Sequence, residues 1–95
     1  MRGMNATLIL KEKTDKKVIY NYSADTSAFK GGKVIVDGEI ECMFDPEESK
    51  TLEYKTLKTA TFDDDGGQAE WICHSHIWRT IFKENCPKKR FIATG

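Results

Sequence analysis

The stretch Gln68-Ala69-Glu70-Trp71-Ile72-Cys73-His74-Ser75-His76-Ile77-Trp78-Arg79-Thr80-Ile81-Phe82-Lys83-Glu84-Asn85 decides the fold class of this chain. Advanced by about 100° per residue from Ala69, its large apolar side chains gather on one arc, from Ile77 at about 80° through Ile81, Trp78 and Trp71 to Phe82 at about 220°. A stripe about 140° wide is what a helix lying on a sheet needs. Arg79, Lys83, His76, Thr80 and Cys73 fill the opposite arc. The expectation is one amphipathic helix from Gln68 to about Asn85, with both tryptophans in the core. Asp65 stands where an N-cap belongs and Gln68 where a capping box closes, while Asp63, Asp64 and Glu70 suit the positive end of the helix dipole. Pro87 stops the helix. On this reading Trp78→Ala costs about 3–5 kcal/mol.

Outward from the helix, the chain reads as strands. Phe91-Ile92-Ala93-Thr94 is a short last strand. Upstream, Asn5 to Lys13 and Val18-Ile19-Tyr20-Asn21-Tyr22 flank the polar turn Thr14-Asp15-Lys16-Lys17, a hairpin with Val18, Tyr20 and Tyr22 on one face. Residues 23–32 read as a loop, with Phe29 tucked into the core and Gly31-Gly32 for flexibility. From Lys33 to Phe44 the alternation is the best in the chain: Val34, Val36, Ile40, Cys42 and Phe44 fall on one face and Asp37, Glu39 and Glu41 on the other. That is one half-buried strand, bulged at Gly38, with a tight turn at Asp37-Gly38 as the alternative. Asp45-Pro46-Glu47-Glu48 is a helix-start signature good for one turn. The threonine-rich run after it favours a strand over residues 52–62, with a helix over 46–58 as the alternative. Asp63-Asp64-Asp65-Gly66-Gly67 then breaks the chain.

The chain has 95 residues, enough for one domain, residues 1–95, and one core. Lys and Arg number 15, as do Asp and Glu, so the net charge is zero. The charge is segregated all the same: residues 1–33 carry +4, residues 34–70 carry −8 and residues 71–95 carry +4. Either neighbouring strands neutralise one another, or one acidic and one basic face steer a charged partner. Cys42, Cys73 and Cys86 are too few and too odd a set for a disulfide framework, and no apolar run approaches a membrane span. A soluble cytoplasmic protein with reduced thiols, without membrane attachment, is expected.

Chemistry-bearing residues concentrate in Cys73-His74-Ser75-His76. On a continuous helix Cys73 and His76 are neighbours on the outer arc, two potential metal ligands or a thiolate–imidazole pair. His74 lies inside the apolar stripe as a core-edge histidine hydrogen-bonded to backbone. Two ligands fall short of the four a structural zinc takes, and Asp63, Asp64, Asp65 and Glu70 oppose a thiolate. Counted from Asp63 as a calcium loop, position twelve is His74, where a bidentate glutamate belongs. No metal or cofactor is expected.

A basic–aromatic surface is the other candidate: Lys11, Lys13, Lys16 and Lys17 beside Tyr20 and Tyr22, with Lys88, Lys89 and Arg90, could stack and neutralise single-stranded nucleic acid. The acidic middle third opposes it. The sequence therefore points to an α+β domain, an antiparallel sheet of four to five strands with one long C-terminal amphipathic helix on one face and a short final strand. Its leading function is a non-catalytic protein-binding or regulatory module that meets another protein or itself. A nucleic-acid-binding domain is second, and a small enzyme or metal protein using Cys73 and His76 third.

Overall fold

The computed structural model describes residues 4–26, 35–61 and 67–93. The hairpin forms as its alternation predicts. β1 (Met4–Lys13) pairs antiparallel with β2 (Lys17–Tyr22), Leu8 opposite Tyr22 and Leu10 opposite Tyr20, with a bulge before Glu12. The two-residue β3 (Asp25–Thr26) continues along the same edge of β1, Asp25 opposite Asn5. Between β2 and β3, Ser23 Oγ accepts from the Thr7 N–H at 3.0 Å. β4 (Gly38–Asp45) pairs with β2, and β5 (Lys50–Lys58) pairs with β4. The final strand β6 (Lys89–Ala93) returns to the other side of β1. With β3 counted as the continuation of β2, the antiparallel sheet runs β6-β1-β2-β4-β5, with β5 and β6 as its edges among the described residues.

The expected strand over residues 33–44 begins only at Gly38; residues 35–37 are not strand, and 33–34 lie outside the described residues. Ile40, Cys42 and Phe44 are buried, as their phase requires. Asp45 Oδ1 accepts from the backbone N–H groups of Glu47 at 3.0 Å and Glu48 at 3.4 Å, which closes the single turn before β5. A strand therefore follows, ending at Lys58 rather than residue 62. Phe29, Gly31-Gly32 and Asp63-Asp64-Asp65, to which the sequence assigns a core plug, a flexible loop and a helix-start role, lie outside the described residues.

The long helix is corrected to two short ones, α1 (Gln68–Ser75) and α2 (Ile77–Phe82). The break has a local cause. Ser75 Oγ donates to the Ile72 carbonyl at 2.9 Å and Thr80 Oγ1 donates to the His76 carbonyl at 2.8 Å. Arg90 Nη1, reaching from β6, donates to that same His76 carbonyl at 3.2 Å and also to Thr80 Oγ1. Side-chain donors drawing on carbonyls inside a helix bend it. His76 accordingly sits at φ −100°, ψ 1°, outside helical geometry. After α2 the chain wraps through Asn85 and Cys86, both at positive φ, and the Cys86 N–H donates back to the Thr80 carbonyl at 2.9 Å.

The buried arc is rotated as well. Ala69, Ile72, Cys73, Ile77, Thr80 and Ile81 face the sheet, and Cys73 and Thr80 are fully enclosed. Trp71, by contrast, is 70 % exposed and Trp78 is 40 % exposed. The sheet explains why: the rings of Tyr20 and Tyr22, with Leu8, Val18, Ile40 and Phe44, already fill the interface. Only small or slender side chains fit above them. Trp78 instead packs on Phe82 at 5.6 Å between ring centroids and donates from Nε1 to the Ser49 carbonyl at 2.7 Å.

Most of the cross-strand charge pairing falls within the acidic segment itself, and Lys11 joins it to the basic N-terminal segment. Glu39, Glu41 and Asp45 of β4 stand opposite Lys58, Lys55 and Lys50 of β5, and Lys11 pairs with Glu39 at 2.8 Å.

Candidate functional site

β5 is built unlike the rest of the sheet. Of its side chains only Thr51 and Thr56 are half-buried; the others are exposed. Two irregularities in its pairing with β4, at Leu52 and Leu57, interrupt the alternation, and both leucines stand in solvent, Leu52 at 60 %. Tyr54, 51 % exposed, lies opposite Cys42 and so points to the helix-covered face. There Tyr54, Trp71, His74 and Ser75 line a shallow depression of about 280 Å³. Trp78, bonded to Ser49, extends the apolar surface past the start of β5.

A hydrogen-bonded chain fixes α1 against this edge. Thr56 Oγ1 donates to Glu70 Oε1 at 2.5 Å and lies 3.0 Å from His74 Nε2. Because the hydroxyl proton is committed to Glu70, His74 Nε2 must be the donor to Thr56. The Nδ1 of His74 is then an acceptor, and it is buried with no partner among the described residues. The imidazole also meets the Tyr54 ring edge-on at 5.5 Å. His74 is thus held by side chains rather than by backbone. The order of the groups argues against a nucleophile: the carboxylate holds the hydroxyl instead of orienting the imidazole, so nothing here takes the Thr56 proton toward the histidine. The chain acts as a latch between α1 and β5.

Burial lowers the His74 pKa below its ordinary 6.5, with the Glu70 carboxylate partly opposing. His76 moves the same way, by burial and then by the Arg90 and Arg79 guanidinium groups. The unfolded chain therefore binds the proton more tightly than the folded one. Stability is full above pH 6.5, the ordinary value of both groups, and falls with pH toward the depressed folded values. The melting temperature is expected to drop between pH 7.5 and pH 5.5, and His74→Gln to reduce that drop. An unchanged drop in the variant would show that the latch does not titrate.

The residues singled out from the sequence do not assemble into one site. Tyr20 and Tyr22 are fully buried: Tyr20 donates its hydroxyl to the Pro87 carbonyl at 2.6 Å, and the Tyr22 oxygen accepts from the Ala60 N–H at 3.1 Å. Neither ring is open for base stacking. Lys11 is paired with Glu39, and Lys17 lies 3.6 Å from Glu12. Lys13 and Lys16 line a cleft of about 460 Å³ with Phe44, Phe82 and Cys86, together with Asp15 and Glu47, so its charge is mixed. Lys88 and Lys89 are exposed, while Arg90 is turned into the α1–α2 junction. Cys73 is enclosed beneath α1 and His76 is half-buried at the junction, so the outward-facing Cys73–His76 pair is corrected. Cys42, Cys73 and Cys86 are all buried and none is in a disulfide among the described residues, and burial pushes the Cys42 thiol up to about 11. Among the described residues no group of three metal-ligating side chains forms, and no helix is long and apolar enough to cross a membrane.

No protein-family model, curated protein or solved structure matches the chain.

The sequence reading missed the edge-strand surface because it placed Trp71 and Trp78 inside. One signal was present. Leu52, Tyr54 and Leu57 sit among Lys50, Glu53, Lys55 and Lys58 in a strand with poor alternation, the pattern of an edge whose apolar groups are not consumed by the core.

Proposed function

We propose that the protein is a small non-catalytic binding module that docks another protein chain along β5. The observation that carries this reading is the exposure of Leu52, Tyr54, Leu57, Trp71 and Trp78 on and beside a strand whose outer edge is unpaired among the described residues. Scattered apolar side chains at a surface need no explanation, but a row of them beside free strand amides and carbonyls is the arrangement that takes up an added strand. Tyrosine and tryptophan also supply large contact area at small entropic cost, which is why they dominate binding surfaces. The latch from Glu70 through Thr56 to His74 supports the same reading, because it holds Trp71 and Tyr54 in a fixed relation before a partner arrives. The nucleic-acid alternative loses Tyr20 and Tyr22 to the core and has Lys11 and Lys17 beside Glu39 and Glu12, so Phe91, exposed next to Lys89, is the ring its basic surface retains.

The test is site-specific photo-crosslinking in cells. Tyr54 and Ile9 are each replaced by a photoreactive phenylalanine analogue; Ile9 is also exposed, but stands on the far face of the sheet. Adducts are expected from position 54 and not from position 9. Equal yields from both, or none from position 54, would defeat the proposal.

A further inference from the structure

We propose that the partner docked on β5 is a second copy of this chain, paired β5 to β5 in antiparallel orientation about a two-fold axis through Tyr54. The inference rests on the reading of β5 as the docking edge and adds what occupies it. The sequence of β5, Lys50-Thr51-Leu52-Glu53-Tyr54-Lys55-Thr56-Leu57-Lys58, carries opposite charges on either side of its central Tyr54. Folded onto itself about Tyr54, it sets Glu53 of each copy opposite Lys55 of the other, twice. It also sets Leu52 opposite Thr56, and Thr51 opposite Leu57. Opposite charges directly across an antiparallel pair attract and like charges repel. Within one chain Glu53 stands opposite Met43 and Lys55 opposite Glu41, and neither Glu53 nor Lys55 is in an ion pair among the described residues. Both are exposed and available. The like-charge pair, Lys50 against Lys58, also occurs twice and is countered from within each chain, where Lys50 faces Asp45 and Lys58 faces Glu39 on β4.

The alternative orientation fails on the same residues. An in-register parallel pair would place Glu53 against Glu53 and Lys50, Lys55 and Lys58 each against itself. The antiparallel arrangement also keeps the helices of both copies on one face, because its axis is perpendicular to the sheet. The two Tyr54 rings then meet at the axis, with the exposed Trp71 of each copy close by. Using the same edge from both copies closes the assembly at two, as an isologous contact must.

Charge reversal separates this arrangement from any other occupant. Glu53→Lys alone opposes lysine to lysine in both pairs, and Lys55→Glu alone opposes glutamate to glutamate. Each is expected to raise the dimer Kd by roughly tenfold or more in light scattering and sedimentation. An equimolar mixture of the two single variants restores both attractive pairs, as does the double variant Glu53→Lys/Lys55→Glu, and both are expected to dimerise like wild type. Circular dichroism checks that each variant is folded, and the double variant keeps the test intact should one single variant be lost. A dimer indifferent to both reversals, or no recovery on mixing, overturns the pairing. A monomer at every concentration that still yields a position-54 adduct of some other mass overturns the second copy and leaves the docking edge standing. A monomer with no adduct overturns both.

Discussion

Tyr22→Ala is expected to cost about 3–5 kcal/mol in urea or guanidinium titration, while Trp71→Ala stays within about 0.5 kcal/mol of wild type. The contrast follows from where the two rings sit. Tyr22 is fully enclosed between the sheet and Ala60, and its oxygen satisfies the Ala60 N–H. Truncation removes the ring's buried area, opens a cavity, and leaves a buried backbone donor without its partner. Against a total stability of about 5–10 kcal/mol for a domain of this size, that is a large fraction. Trp71 exposes 70 % of its surface, so its removal takes little from the core. Trp78→Ala falls between them at about 1 kcal/mol, from the lost bond to the Ser49 carbonyl and the contact with Phe82. Equal losses for Tyr22→Ala and Trp71→Ala would mean that the core has been misplaced.

Gly38→Ala carries the second large effect, about 1–3 kcal/mol of destabilisation. Gly38 stands directly opposite Tyr22 in the β2–β4 pair, and the tyrosine ring packs against it. A Cβ added there would sit 2.3 and 2.5 Å from two Tyr22 ring carbons and 2.8 Å from the Ala60 Cβ. Either the ring or strand β4 must move. The decisive measurement is a double-mutant cycle with Tyr22→Ala. Once the ring is gone, Gly38→Ala loses most of its cost, and the two effects are strongly non-additive. Additive costs would place the strain elsewhere in the strand.

These two positions also show what could be read from the chain alone. Strand alternation put Val18, Tyr20 and Tyr22 on one face and Ile40, Cys42 and Phe44 on one face, because a period of two leaves few choices, but it did not tell that the tyrosines' face is the enclosed one rather than an open stacking surface. Gly38 was noticed for the wrong property. Its backbone freedom suggested a bulge or turn, whereas its use is the absent side chain, which depends on a tyrosine sixteen residues earlier in sequence. The helix wheel failed for a related reason. It ranked side chains by hydrophobicity and gave the core to Trp71 and Trp78, yet which arc is buried depends on the volume already occupied by the facing sheet. Two tyrosines there leave room for Ala69, Cys73 and Thr80 instead. The break at His76 was hidden as well, because Arg90 supplies one of the donors that bend it and arrives from another strand. The candidate site inherited these errors, since Cys73 and His76 were neighbours only on an unbroken, differently rotated helix.

The place of β6 has a consequence for how the molecule reaches this state. β1 is an inner strand, but one of its two neighbours is drawn from residues 89–93, so that Asn5 meets Ala93. A nascent chain leaving the ribosome at ~5–20 residues per second carries β1 through β5 and both helices with one side of β1 still open. During that interval Leu10, whose N–H donates to the Lys88 carbonyl in the finished fold, and the alternate residues before it present unmatched amides and carbonyls. Contacts so distant along the chain also slow the search for the final arrangement. The interval before β6 docks is therefore when this chain is most exposed to pairing with the wrong strand, and when a chaperone has most to protect.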